Sequence, residues 1–220
     1  MARRTGKGRP PAPAPRWLLP ALVVLLLGGL GVSLHLGHLY LEVQRSGGNV
    51  QSFCNINQTF DCVAVATSRY STFLGLPIAL YGIEYFGVLL ALTLLGGLSA
   101  VRLRRWQSMV FVGATLGIPV SVVLGVISVT SIGAVCVMCV TIYAINLVLF
   151  GLLLVANRGR VGAALVEGPR ELARLLAAPR SGALLLVLAG LAVSQFFWVP
   201  GLIHDGVPSA EARGTSLGGI

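Results

Sequence analysis

The residues best suited to chemistry are four cysteines, which fall into two pairs, Cys54 with Cys62 and Cys136 with Cys139. The second pair is a Cys-x-x-Cys motif, which in a soluble chain indicates a thioredoxin-like site when it lies beside a βαβ pattern. No βαβ pattern is visible here. Apolar stretches flank the motif on both sides, so we interpret it as a thiol pair at the head of a membrane-spanning helix.

Two polar residues follow the motif at helical spacing. On a helix, Tyr143 and Asn146 lie on the same stripe as Cys136 and Cys139. At about 1.5 Å per residue, Asn146 would lie roughly 15 Å below Cys136, near the middle of the membrane. An enzyme that moves electrons from thiols to a lipid-soluble carrier needs a redox pair at the surface and a polar stripe leading inward.

The two pairs are expected to do different work. Cys136 starts a helix, where unpaired amides favour a thiolate, so we expect it to be the exposed, exchanging sulfur and Cys139 the shielded one. Cys54 and Cys62 lie on a loop that could meet a water-soluble dithiol and then swing to Cys136. The alternative is an outer loop stapled by two inert disulfides, but a bridge across two residues constrains little chain entropy.

The composition places the protein in a membrane. It is 55% hydrophobic and only 10% charged, with a mean hydropathy of +0.86, which indicates several spans. The net charge is +9. The basic residues that produce it fall between the apolar segments, as topology signals do, so the charge does not indicate binding to nucleic acid. The three histidines are distant in sequence from the cysteines and fit no zinc pattern, so we predict no metal site; His35 and His38 are interpreted as interfacial.

We predict an all-α membrane protein, with a four-helix transmembrane bundle and a fifth transmembrane helix. Its predicted spans are about 17–41, 77–98, 107–132, 134–156 and 181–202. Residues 1–16 would be a basic cytoplasmic tail, 17–156 the bundle with its outer loop 42–76, 157–180 an amphipathic cytoplasmic connection, and 203–220 an outer tail.

Local signals refine these spans. Asp61 is expected to cap a short helix that runs to Ala66, and Pro77 to occupy the first turn of the second span. Pro119 should kink the third span, and Glu84 is either functional or an interfacial carboxylate. Asn57-Gln58-Thr59 matches the glycosylation sequon, a short pattern with many chance matches.

The placement of the basic residues predicts the orientation. With the N-terminus in the cytoplasm, thirteen Lys and Arg lie in cytoplasmic segments and three in outer segments, a strong positive-inside pattern. All four cysteines then face one non-cytoplasmic, oxidising compartment. The charge distribution therefore predicts an integral membrane protein whose N-terminus is cytoplasmic and whose cysteines are extracytoplasmic.

Over about residues 17–156 the sequence resembles the vitamin K epoxide reductase family, and in particular its bacterial branch. The resemblance is carried by Cys54 and Cys62 with seven residues between them, then Thr67-Ser68-Arg69-Tyr70. Cys136-x-x-Cys139, followed by Thr141-x-Tyr143-Ala144-Ile145-Asn146, completes it. Cys-x-x-Cys alone is a weak signal, whereas these pieces together are highly specific.

The resemblance implies a four-helix bundle around a quinone, ubiquinone or menaquinone, and its bacterial branch implies a location in a bacterial inner (plasma) membrane. It makes Cys139 the cysteine next to the quinone, Cys136 its exchange partner, and Cys62 the residue that bridges transiently to Cys136. Cys54 would exchange with a thioredoxin-like protein. Ser68 and Tyr143 match positions that line the quinone ring, and Asn146 is predicted to contact the quinone as well.

These signals together predict a membrane oxidoreductase that re-oxidises a separate, DsbA-type thioredoxin-fold protein outside the cytoplasm and reduces a membrane quinone. The first alternative is a vitamin K quinone or epoxide reductase. Animal members of the family carry an asparagine at the start of the second span, whereas residues 77–82 contain none, which favours a plain quinone. The second alternative is a scaffold or metal-binding protein that uses the four thiols without catalysis.

Overall fold

A computed structural model describes residues 15–46, 50, 52, 54–57, 59–98, 103–157, 162, 165–170 and 173. The predicted fifth helix and outer tail lie outside these residues, as do most of the basic tail and most of the amphipathic connection.

That part of the chain is mostly helical. Its helices are α1 (Leu18–Ser46), α2 (Cys62–Thr67), α3 (Ile78–Leu98), α4 (Leu103–Ile127) and α5 (Val137–Ala156). A 3₁₀ turn at Arg69–Ser71 and a π-helical turn at Ser128–Ile132 complete the helical structure. The two short strands β1 (Thr72–Phe73) and β2 (Leu76–Pro77) pair antiparallel.

Among the described residues, three helical segments are long and apolar enough to cross a membrane: Leu18–Ser46, Trp106–Ile132 and Val137–Ala156. A shorter apolar helix covers Ile78–Leu94. The prediction of a helical membrane protein is thereby confirmed at this level.

The long helices pack as one group, in which α1 lies along α3 and α5, and α4 lies along α5 and α3. Small residues let the helices approach closely, as is usual between membrane helices. A Cβ at Gly29 would collide with the ring of Phe86, and one at Gly82 would lie 2.8 Å from Ser33 Oγ. The apolar core beside these contacts includes the buried side chains of Leu22, Leu26, Phe86, Phe111, Leu149 and Leu153.

Several element boundaries differ from the sequence prediction, most clearly at the end of α1 and the start of α3. Helix α1 continues to Ser46, past the predicted end at Leu41, and Ser46 Oγ donates a hydrogen bond to the Glu42 carbonyl at 2.8 Å. Pro77 pairs with Thr72 in β2, so it precedes the first turn of α3 instead of occupying it. Pro119 lies inside α4, where it was predicted.

Candidate redox site

The short helix α2 fixes the position of Cys62. Asp61 is its N-cap, and its carboxylate accepts hydrogen bonds from the backbone amides of Val63 at 2.8 Å and Ala64 at 2.9 Å. This confirms the cap predicted from the sequence and satisfies two amides that have no partner within the helix. Cys62 is therefore the first residue of a capped helix and is held rigidly.

A backbone bridge joins the loop before α2 to the segment before α5. Phe60 and Val135 form a parallel β-bridge, in which the Asp61 amide donates to the Val135 carbonyl at 3.2 Å. The Val135 amide donates to the Thr59 carbonyl at 2.7 Å. Cys62 and Cys136 are the residues that follow Asp61 and Val135, so the bridge brings the two cysteines together.

Three sulfur atoms meet at this bridge. Cys54 and Cys62 form a disulfide with Cα atoms 5.8 Å apart, a separation typical of such bonds. Cys136 Sγ lies 3.0 Å from Cys62 Sγ, and Cys136 and Cys139 are both free thiols. Cys136 is the N-cap of α5, as the sequence indicated.

The exposure of the cysteines is the reverse of what we predicted. Cys136 is only 1% exposed, whereas Cys139 is half-buried. Cys54 and Cys62 are also buried, at 2% and 1% exposure, so the loop pair does not project into solvent. The reason is that α2 and the bridge fold the loop over the start of α5, which seals Cys136, whereas Cys139, one turn further on, packs against the same cluster and stays only half-buried.

Local hydrogen bonds favour the thiolate of Cys136. The pKa of Cys136 lies below its ordinary value of 9.0 because its sulfur accepts hydrogen bonds from the Cys139 thiol and from the backbone amides of Cys139 and Met138. These outweigh the desolvation of the buried sulfur and the nearby charge of Asp61, which both raise the pKa. The thiol that touches the loop disulfide is therefore the one whose thiolate is stabilised, which suits it both to attack that disulfide and to leave from a bond with Cys62.

The remaining predicted site residues lie at different depths. Ser68 ends α2, and its hydroxyl donates to the Val65 carbonyl at 2.8 Å. Tyr143 is half-buried on α5, and its ring would lie 3.6 Å from a Cβ at Gly125. The structure thus places Ser68 on the loop and Tyr143 on the helix that carries Cys139.

Asn146 lies in a buried polar cluster that joins three helices. Its side-chain amide donates to Ser121 Oγ at 3.1 Å, and its oxygen accepts from the Tyr85 hydroxyl at 3.0 Å. Asn146 is 4% exposed and Ser121 is 8% exposed. The sequence analysis missed Tyr85 and Ser121; the available signal was that each is a polar group inside an apolar span.

His38 pairs with a carboxylate on its own helix. His38 Nδ1 is 3.8 Å from Glu42 Oε2 in a pair that is largely exposed on α1. Within the described residues, no three His, Cys, Asp or Glu side chains are grouped closely enough to hold a metal ion.

A comparison with known proteins bears on the whole arrangement. A sequence model of the vitamin K epoxide reductase family matches residues 20–154, which is more than half of the chain. The match contains both cysteine pairs, the bridge between them and the buried polar cluster.

Proposed function

Since the chain belongs to the vitamin K epoxide reductase family, whose members are oxidoreductases, we propose that it is a quinone-dependent, disulfide-forming enzyme of the bacterial branch. It re-oxidises an extracytoplasmic thioredoxin-fold protein of the DsbA type and passes two electrons to a membrane quinone. The observation that carries this proposal is the 3.0 Å distance between Cys62 Sγ and Cys136 Sγ. An S–S bond is about 2.05 Å long, so a bond between them needs a movement of only about 1 Å.

The electrons then pass through the cysteines by two exchanges. Once the partner has reduced the loop pair, the Cys62 thiolate attacks Cys136 in a Cys136–Cys139 disulfide, and Cys139 leaves as a thiolate. The Cys54 thiolate next attacks Cys62, which restores the loop disulfide and releases Cys136. The arrangement in the structure, with a loop disulfide and two inner thiols, matches the end of this transfer.

The residues around Cys139 fit a quinone. Cys139 alone among the four cysteines is half-buried, while the other three are sealed. The half-buried phenol of Tyr143 lies one turn further along α5, and the hydroxyl of Ser68 adds a polar group on the loop. A bound quinone accepts two electrons and two protons. In this proposal Cys139 lies next to the ring, Ser68 and Tyr143 line it, and Asn146 supports its deeper side.

We propose that the cysteine end of the helices faces outward from a bacterial inner membrane, with the N-terminus in the cytoplasm. The support is the thirteen-to-three distribution of Lys and Arg. Single reporter cysteines at positions 103 and 215, in a chain whose native cysteines are alanine, test it. Intact cells should label position 215 with an impermeant maleimide and leave position 103 unlabelled. If position 215 were labelled only after the inner face is exposed, the proposed orientation would be wrong.

Quinone reduction by the purified protein in vesicles tests the function itself. A reduced thioredoxin-fold dithiol protein is one electron donor and dithiothreitol the other, with ubiquinone or menaquinone as acceptor. Cys54→Ala should block reduction by the protein donor and spare reduction by dithiothreitol. Equal loss with both donors would contradict the division between the pairs. Turnover of vitamin K epoxide in place of the quinones would favour the alternative activity, and no redox turnover at all would favour a scaffold.

A further inference from the structure

We propose that the backbone bridge between residues 59–61 and Val135 is the positioning element for exchange between Cys62 and Cys136. The inference rests on the proposed function for its purpose, since it concerns the step that links the two cysteine pairs. It assigns this role to main-chain groups on two segments, one on each side of the sulfur contact.

The geometry of the bridge ties it to the sulfur atoms. One hydrogen bond ends at the Asp61 amide and the Val135 carbonyl, which directly precede Cys62 and Cys136 in the chain. Beyond each bridged residue a helix starts at once, α2 at Cys62 and α5 at Val137. Cys62 is the first residue of α2, and Cys136 lies between Val135 and α5. A shift of the bridge must therefore move one sulfur relative to the other.

Further hydrogen bonds hold each side of the bridge in shape. Asn57 Oδ1 accepts from the backbone amides of Thr59 and Phe60, both at 2.9 Å, which folds the chain into a tight Asx turn beside the bridge. On the other side, the buried hydroxyl of Ser128 donates to the Ala134 carbonyl. Asn57, noted above only as part of a sequon, thereby has a structural role.

The side chains of the bridged residues contribute little to the contact. Thr59 and Phe60 are exposed, and Val135 is half-buried. The bridge therefore depends on backbone amides and carbonyls, and a side-chain truncation that keeps the backbone should be tolerated. A proline at position 135 removes the amide that donates to Thr59 and keeps the carbonyl that accepts from Asp61.

The decisive experiment measures formation of the Cys62–Cys136 bond in a Cys54→Ala/Cys139→Ala protein, which contains only those two thiols. Diamide serves as the oxidant, and alkylation followed by non-reducing mass spectrometry gives the rate. We expect Val135→Pro to slow bond formation about fivefold or more, the effect of losing one hydrogen bond. The matched control Val135→Ala keeps the amide and should react at the parent rate.

A second pair of variants covers the case in which Val135→Pro does not fold. Asn57→Ala removes the acceptor for the Thr59 and Phe60 amides without touching the bridge, and should slow bond formation. Asn57→Asp keeps an acceptor oxygen and should not. Equal rates within both pairs would overturn the proposal.

A turnover measurement separates positioning from general damage. In a chain with all four native cysteines, Val135→Pro should reduce quinone reduction driven by the protein donor. It should spare reduction driven by dithiothreitol, which can reach Cys136 when the loop no longer covers it. Equal loss with both donors would count against the proposal. The bond-formation assay uses neither quinone nor partner, so it can succeed even if the proposed function is wrong.

Discussion

The sulfur cluster and the buried polar cluster are held in place by different kinds of bond. At the sulfur cluster, the main-chain groups of Thr59, Asp61 and Val135 make the link between the two segments. In the polar cluster, the side chains of Tyr85, Ser121 and Asn146 bond directly to one another. A site in which bonds between side chains must break and form benefits from a frame that does not use those side chains.

The same comparison explains the position of Cys139. It lies on α5 between the two clusters, seven residues before Asn146 and three after Cys136. Its half-buried side chain packs against the cluster that contains Cys136, but it is not sealed as Cys136 and Asn146 are. We infer that the clusters fix the two ends of this stretch of α5 and leave its middle open to a ligand.

The largest expected effect is that of Cys139→Ala, which should abolish quinone reduction because it removes the sulfur proposed to lie next to the quinone. The variant should also accumulate the Cys62–Cys136 disulfide, because the Cys136 thiolate can attack Cys62 in the loop disulfide, with Cys54 leaving, and Cys139 is no longer present to displace Cys62 from Cys136. Quinone turnover and mass spectrometry of alkylated, non-reduced peptides measure the two effects. Val140→Ala, a change at an exposed neighbouring position, is the control.

A different disulfide pattern in Cys139→Ala would contradict the role of the sulfur cluster in exchange. If only Cys54–Cys62 and a free Cys136 were found, under both oxidising and partner-reduced conditions, the proposed exchange would be wrong. The loop disulfide would then be a structural staple, and the short sulfur distance would have no role in electron transfer.

Asn146→Leu should have the next largest effect, and on stability. It leaves the Ser121 hydroxyl without its Asn146 partner, whereas the Tyr85 hydroxyl keeps the Gly113 carbonyl as an acceptor at 3.3 Å. A buried polar group left unpaired costs about 1–3 kcal/mol. Thermal unfolding in detergent should show the loss, while the rate of Cys62–Cys136 bond formation should stay at the parent value. Leu147→Ala, at a position that is 63% exposed, is the control. A matching loss of bond formation would mean that the two clusters are not independent.

The extent to which sequence predicted these regions follows from the range of the interactions. Asp61 as a cap and Cys136 at a helix start were predictable, because they depend on neighbours within a few residues. The membrane helices were predictable from the length of the apolar runs. The order of cysteine exposure was wrong, because it depends on the pairing of Phe60 with Val135, and backbone pairing across 75 positions leaves no local pattern.

The polar cluster shows the same limit of sequence-based prediction, namely that contacts between distant segments leave no local pattern. The helical stripe placed Asn146 below the cysteines, but its partners come from α3 and α4. Nothing in the spacing of α5 residues indicates which turn of a neighbouring helix will lie opposite. Tyr85 and Ser121 could have been proposed only as polar groups in apolar spans, which usually face other helices.

A smaller effect concerns the thiolate of Cys136. Its pKa is lowered, so the thiolate is kept at pH values somewhat below 9.0 and is lost as the pH falls through the folded-state pKa. In a Cys54→Ala/Cys62→Ala protein, the ultraviolet absorbance of the thiolate should follow this titration. Adding Cys139→Ala should move the midpoint up, because the Cys139 thiol is the largest cause of the lowering. An unchanged or lower midpoint would show that Cys139 does not stabilise the thiolate.

The smallest expected effect is that of Tyr85→Phe, which removes one hydroxyl and keeps the ring. The lost bond to Asn146 should cost about 0.6 kcal/mol, the average for hydrogen bonds between membrane helices, and exchange between Cys62 and Cys136 should not change.

Gly117 provides a sharper measure, because a Cβ there would lie 2.5 Å from the Tyr85 hydroxyl and 3.2 Å from Asn146 Nδ2. Gly117→Ala should destabilise the parent protein by about 1–3 kcal/mol through overpacking and cost less in the Tyr85→Phe background, where the nearest atom is gone. Equal costs in both backgrounds would mean that the Tyr85 hydroxyl does not lie against Gly117. The side chains of Tyr85, Ser121 and Asn146 would then not form the bonded cluster that contrasts with the main-chain frame of the sulfur cluster.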